Sequence, residues 1–88
     1  MTRREQNIIK SILQYLHDAD HGQRVETQIR AGAFENFNTA APSVEELRVS
    51  LRIANDMGLV CGVPGRFAVG MKWNITDAGE AALLELKA

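Results

Sequence analysis

Two histidines stand at a spacing that could hold a metal ion. His17 and His21 are four residues apart, with Asp18 and Asp20 between them. On one continuous helix, both imidazoles would lie on the same face and could share a metal such as zinc. Gly22 follows at once and favours a helix end, and no third ligand of suitable type lies nearby in the sequence. We therefore expect a solvated helix end here and no metal site.

The other reactive side chain is the single cysteine, Cys61, which has no partner for an internal disulfide. A reducing, cytoplasmic compartment is the simpler expectation for such a chain. Cys61 alternates in phase with Leu59 and Val63, a pattern that predicts a buried apolar thiol. A nucleophilic cysteine needs a positioned base, and neither histidine is close to it in sequence. The sequence also has no phosphate-binding glycine loop and no pair of carboxylates placed for acid–base catalysis, so we expect no enzyme and no cofactor.

Length and composition limit the chain to one small domain, residues 1–88. The sequence is 45% apolar and 24% charged, which is ordinary for a globular domain. It has no apolar segment long enough for a secretory signal or a membrane span. The formal net charge is −1, so the charge total gives no sign of tight non-specific binding to nucleic acid.

The first half of the chain predicts a long helix and then an ambiguous segment. Over residues 3–18, apolar residues recur at helical spacing: Ile8, Ile9, Ile12, Leu13 and Leu16. Residues 23–38 fit both an every-fourth-residue helix pattern and an alternating strand pattern. We favour a short helix near 25–32 and then a loop, with Phe34 and Phe37 folding back onto the core.

A capped helix follows at residues 43–57. Ser43 and Glu46 have the spacing of a capping box, in which each side chain bonds the other residue's backbone amide. One side of this helix is predicted to be apolar (Val44, Leu47, Leu51 and Ala54) and the opposite side polar (Glu45, Arg48, Arg52 and Asn55). Gly58 follows this helix, at the position where a glycine with a left-handed backbone conformation commonly ends a helix.

The remaining residues predict a β-hairpin and a last helix. Pro64-Gly65-Arg66 has turn chemistry, and over 67–75 apolar residues occupy every odd position: Phe67, Val69, Met71, Trp73 and Ile75. Phe67, Met71 and Trp73 are therefore interpreted as core packing of the sheet. Thr76 is predicted to cap the last helix, with Asp77 in its first turn.

This order of elements resembles the winged-helix superfamily of helix-turn-helix domains. The residues that carry the resemblance are Met57-Gly58-Leu59-Val60, which lead into a hairpin, and Ile75-Thr76-Asp77-Ala78-Gly79, which open the last helix. The chain is similar to small phage- and prophage-encoded winged-helix proteins of unknown role. The resemblance implies an α+β fold in which helices pack with a two- or three-stranded antiparallel wing and a C-terminal helix.

The resemblance also implies a surface for double-stranded DNA. Residues 43–57 would be the recognition helix, with Arg48, Arg52 and Asn55 reading the major groove. Arg66 and Lys72 on the wing would hold the DNA backbone, and segment 58–75 has charge +2 with no acid. The expected function is that of a small DNA-binding protein, a transcriptional regulator or an accessory protein of a phage or mobile element.

Other interpretations of these charges stay open at this point. Arg48 and Arg52 could form local ion pairs with Glu45 and Asp56 on a solvated helix face, and the wing cations could protect an edge strand. The near-neutral charge also fits a module that binds a protein partner. A homodimer through the terminal helices is a further expectation, because the last helix is apolar on more than one side and Leu84, with residues of the first helix, could face a second subunit.

Overall fold

The computed structural model of the protein describes residues 2–19, 23–35, 37, 39–64 and 70–87. These residues form four helices and three strands in the following order: α1 (Arg3–Asp18), β1 (Arg24–Val25), α2 (Glu26–Gly32), α3 (Val44–Asp56), β2 (Val60–Val63), β3 (Lys72–Ile75) and α4 (Asp77–Lys87). The strands make one antiparallel sheet in the order β1-β3-β2. The fold is α+β, as predicted, and its layout is winged-helix-like.

Helix α1 supplies one side of the core. Its first turn is closed by a capping box between Thr2 and Glu5, and it ends at Asp18, within the predicted bounds. The five apolar residues that the spacing selects are its buried residues: Ile8, Ile9, Ile12, Leu13 and Leu16. The same cluster contains Ile29 of α2, Leu47 and Leu51 of α3 and Leu83 of α4, so the four described helices share one core.

The ambiguous segment contains both a strand and a helix. Arg24 and Val25 pair with β3, and the chain then turns directly into α2. The helix near 25–32 is thus confirmed, whereas the two-residue strand before it was not predicted as an element. Phe34 is buried and Phe37 packs against the same core, with their rings edge to face at 5.4 Å between centroids. Their predicted return to the core is confirmed.

In strand β2, the residues that face the core are not those that the alternating pattern predicts. Val60 is buried, whereas Cys61 and Val63 are exposed, so the predicted buried thiol is wrong. Val60 lies opposite Ile75 in the β2–β3 register and faces the core with it. Leu59 is buried as well, but it precedes the strand and therefore does not set the phase of β2.

The second hairpin strand is also shorter than the alternation suggested, as far as it is described. Strand β3 covers only Lys72–Ile75, and Phe67 and Val69 lie outside the described residues. Trp73 packs against the core as expected. Met71 precedes the strand and is 44% exposed, so the prediction that it packs in the core is wrong.

The two segments that carry the winged-helix resemblance contact each other. Gly58 has φ +75°, and its amide and that of Leu59 bond the carbonyls of Asn55 and Ala54, which ends α3 in a Schellman turn. Thr76 then donates its hydroxyl to the Gly58 carbonyl at 2.6 Å and accepts the Gly79 amide at 3.0 Å. The Thr76 amide donates to the Leu59 carbonyl at 3.0 Å. The end of α3 is therefore fastened to the start of α4.

Candidate nucleic-acid interface

Helix α3 presents the predicted polar face to solvent. The capping box between Ser43 and Glu46 is present, with both bonds at 3.1 Å. Leu47, Leu51 and Ala54 are buried against the core, as the pattern predicts. The four residues assigned to the opposite face are all exposed: Glu45, Arg48, Arg52 and Asn55.

The second acid of the first turn, Glu46, is held away from this face by α1. Arg4 Nε donates to Glu46 Oε2 at 2.7 Å, and Arg4 Nη2 lies 3.3 Å from Oε1. This bond to Arg4, together with the Ser43 amide, lowers the pKa of Glu46 below its usual range. The carboxylate thus stays charged but is neutralised within the domain, which reduces its repulsion of an approaching anion.

Arg4 is consequently a structural residue. Besides Glu46, its guanidinium donates to Thr39 Oγ1 at 2.9 Å and to the Ala40 carbonyl at 3.1 Å, and it lies 6.0 Å from the Phe37 ring centre. It ties the start of α1 to the segment before α3. The residues around Arg4 in the sequence give no sign of this role, because its hydrogen-bond partners are 35 to 42 residues away along the chain.

Arg48 also has a partner that its neighbours in sequence do not reveal. Its Nε donates to both carboxylate oxygens of Glu26 on α2, at 3.2 and 3.1 Å. The alternative, a local ion pair between Arg48 and Glu45, is therefore not formed. Arg48 remains 66% exposed at the side chain, whereas Glu26 is 30% exposed. The ion pair connects α2 with the exposed face of α3.

Arg52 and Asn55 lie further along the same face, next to exposed apolar side chains. Within the described part of the chain, no hydrogen bond or ion pair involves either polar side chain. Val49 and Met57 are 49% and 53% exposed, and Ile53 between them is half-buried. We call these three residues, which follow one another at every fourth position, the apolar stripe of α3.

The described part of the wing adds one cation. Lys72 is exposed and stands opposite Val63 on one side and Val25 on the other, on the face of the sheet that points away from the core. Arg66, the other predicted wing cation, lies outside the described residues.

The residues considered for metal or thiol chemistry lie apart where they are described. His17 Nδ1 is 2.6 Å from Glu80 Oε2 and so links α1 to α4. Cys61 lies on the outer face of the sheet, and His21 is outside the described residues. The described residues contain no group of three or more potential metal ligands, and none of their helices is long and apolar enough to cross a membrane.

Comparison with known proteins adds no relative to this description. A scan against protein-family models, a search of curated proteins and a search of solved structures each returned no match. The assignment of a function therefore rests on the geometry of α3 and the sheet beside it.

Proposed function

We propose that the protein binds double-stranded DNA through α3 and the β2–β3 wing. The observation that carries the proposal is an exposed row of polar side chains on α3, formed by Arg48, Arg52 and Asn55. The row runs along one face of a helix in the recognition position of a winged-helix-like layout. Arginine can donate two hydrogen bonds to guanine and asparagine can bond adenine in the same paired way. This polar row thus has the side chains and the accessibility for reading base edges.

The charges on this side favour moderate affinity. On the exposed face of α3, Arg4 neutralises Glu46 and Glu26 pairs with Arg48, so only Arg52 opposes the negative charges of Glu45 and Asp56. Attraction to phosphate then depends on Lys72 and Arg66 at the wing. With two phosphate contacts, affinity should fall roughly tenfold between about 50 and about 200 mM salt.

Fluorescence anisotropy with a mixed-sequence duplex tests the proposal. We expect micromolar binding with the salt dependence given above, and a strong loss in R52A and R66A. Arg3→Ala is the matched control, because Arg3 is an exposed arginine on α1, outside the proposed face. No binding at about 100 µM protein in low salt would refute the proposal, as would unchanged affinity in both variants.

A protein partner is the second candidate function, and the apolar stripe of α3 favours it. Val49 and Met57 expose about half of their surface in the middle and at the end of the proposed recognition helix. Val49→Lys separates the two functions. A cation at this position should maintain or strengthen DNA binding, whereas it should abolish docking of an apolar partner surface.

Dimerisation through the terminal helices remains a prediction. Its support is Leu84 of α4, a large apolar side chain that is 71% exposed. Sedimentation equilibrium of the wild type and of L84E gives the test. A dimer that L84E converts to a monomer is the expected result, and a monomeric wild type would contradict it.

A further inference from the structure

The contact between Glu26 and Arg48 leaves a particular part of the arginine free. Arg48 Nε donates to both oxygens of Glu26, so the Nε–H edge of the guanidinium is occupied. Among the described residues, no acceptor bonds its two terminal nitrogens, Nη1 and Nη2. These two nitrogens together form the end of the guanidinium fork, which is the edge that can donate two parallel bonds to guanine O6 and N7.

Glu26 is well placed to hold the arginine in this orientation. It lies in the first turn of α2, where the helix dipole favours a carboxylate, and it is the less exposed member of the pair. An unrestrained arginine side chain loses rotamer entropy when it is fixed. A partner that has already ordered the guanidinium reduces this loss at the moment of binding.

We propose that Glu26 is a positioning residue that orients Arg48 for paired hydrogen bonding to a guanine. This inference rests on the proposed DNA binding and assigns the base class that Arg48 reads. Glu26 has a second effect of opposite sign, because its charge repels nearby phosphates. It therefore raises discrimination between sequences, while its charge lowers the affinity for DNA of random sequence.

Because the two effects of Glu26 have opposite signs, one experiment can measure them separately. A preferred site is first selected from a random duplex library with the wild-type protein, and each of its base pairs is then substituted in turn. In R48A, discrimination at one guanine position should fall on the order of tenfold. In E26A, discrimination at the same position should fall severalfold, while affinity for a random duplex rises by about twofold or more.

Three further variants separate positioning from charge. Glu45→Ala removes an acid from the same surface without touching Arg48, so random-duplex affinity should rise and the guanine preference should stay. Glu26→Gln keeps an oxygen that can accept from Nε and should retain much of the preference. In the double variant E26A/R48A, the preference should fall no further than in R48A alone, because Glu26 acts through Arg48.

The results that overturn the inference differ from those that overturn DNA binding. If the wild type selects a site and E26A keeps the full guanine preference, the positioning role is wrong and the proposed function stands. The same holds if R48A affects no guanine position, or if E26A lowers only the melting temperature. If the wild type binds no duplex, both the proposed function and the positioning role fail.

Discussion

For the substitution Gly79→Ala, the structure predicts a loss of folding stability, whereas helix propensity alone predicts a gain. Gly79 lies in the first turn of α4, where alanine would ordinarily gain about 1 kcal/mol over glycine. A Cβ atom at this position, however, would lie 2.7 Å from Ile75 Cγ1 and 3.1 Å from the carbonyl carbon of Leu59, with the Leu59 oxygen closer still. The nearest atom belongs to the backbone and cannot rotate away.

The expected loss of stability follows from the movement that the methyl group requires. The start of α4 must shift by roughly an ångström to restore ordinary contact distances. Overpacking of this kind costs about 1–3 kcal/mol. The shift also strains the bonds from Thr76 to the Gly58 and Leu59 carbonyls, at about 1 kcal/mol for one weakened bond. After the gain in propensity, a net loss of about 2 kcal/mol remains, which lowers Tm by roughly 8–16 °C.

Thermal and urea denaturation followed by circular dichroism measures this loss. Gly70→Ala is the matched control, because in the described part of the chain no atom beyond its neighbours in sequence lies within 4 Å of a Cβ built there, and we expect a change within about 0.5 kcal/mol. Equal or greater stability of G79A relative to the wild type would refute the reasoning. Such a result would mean that the junction between Leu59 and α4 can relax without loss.

Three other residues give independent predictions. Ser50 is buried on α3 and its hydroxyl has no hydrogen-bond partner among the described residues, so S50A should gain about 0.5–1 kcal/mol in urea denaturation, and a loss would contradict this. Cys61 is exposed, so one thiol per chain should react quickly with a thiol reagent in the native protein, whereas reaction only in denaturant would place it in the core. The bond with Arg4 lowers the pKa of Glu46, so its stabilising effect is present above about pH 4.5 and is lost as the pH falls through the lowered value. Urea midpoints from about pH 6 to about pH 3 should therefore drop less in E46Q than in the wild type, while E45Q should follow the wild type.

Features that depend on neighbouring residues in sequence were predicted correctly. The buried side of α1 and the exposed side of α3 follow from spacings of three and four residues, which place side chains on one face of a helix. The Ser43 cap, the Gly58 terminus and the Thr76 cap use hydrogen bonds within a few residues. Each of these devices is local, so the pattern of residue types contains the necessary information.

The sheet was predicted less completely, because its details depend on pairing between distant segments. Arg24 and Val25 form a strand only because β3 offers them a free edge. Whether Cys61 points inward is decided by the register between β2 and β3, and a shift of one residue reverses the face of every side chain. The alternation of Leu59, Cys61 and Val63 identified a strand but assigned its buried side wrongly.

The candidate site also combines features that are local in the sequence with features that depend on contacts between distant segments. The sequence by itself determined that Arg48, Arg52 and Asn55 share an exposed face of a capped helix. Only the tertiary structure decided which charges neutralise one another, since Arg4 binds Glu46 from 42 residues away and Glu26 binds Arg48 from 22 residues away. The physical reason is that an ion pair depends on the distance between two groups in space, and packing of α1 and α2 against α3 sets that distance.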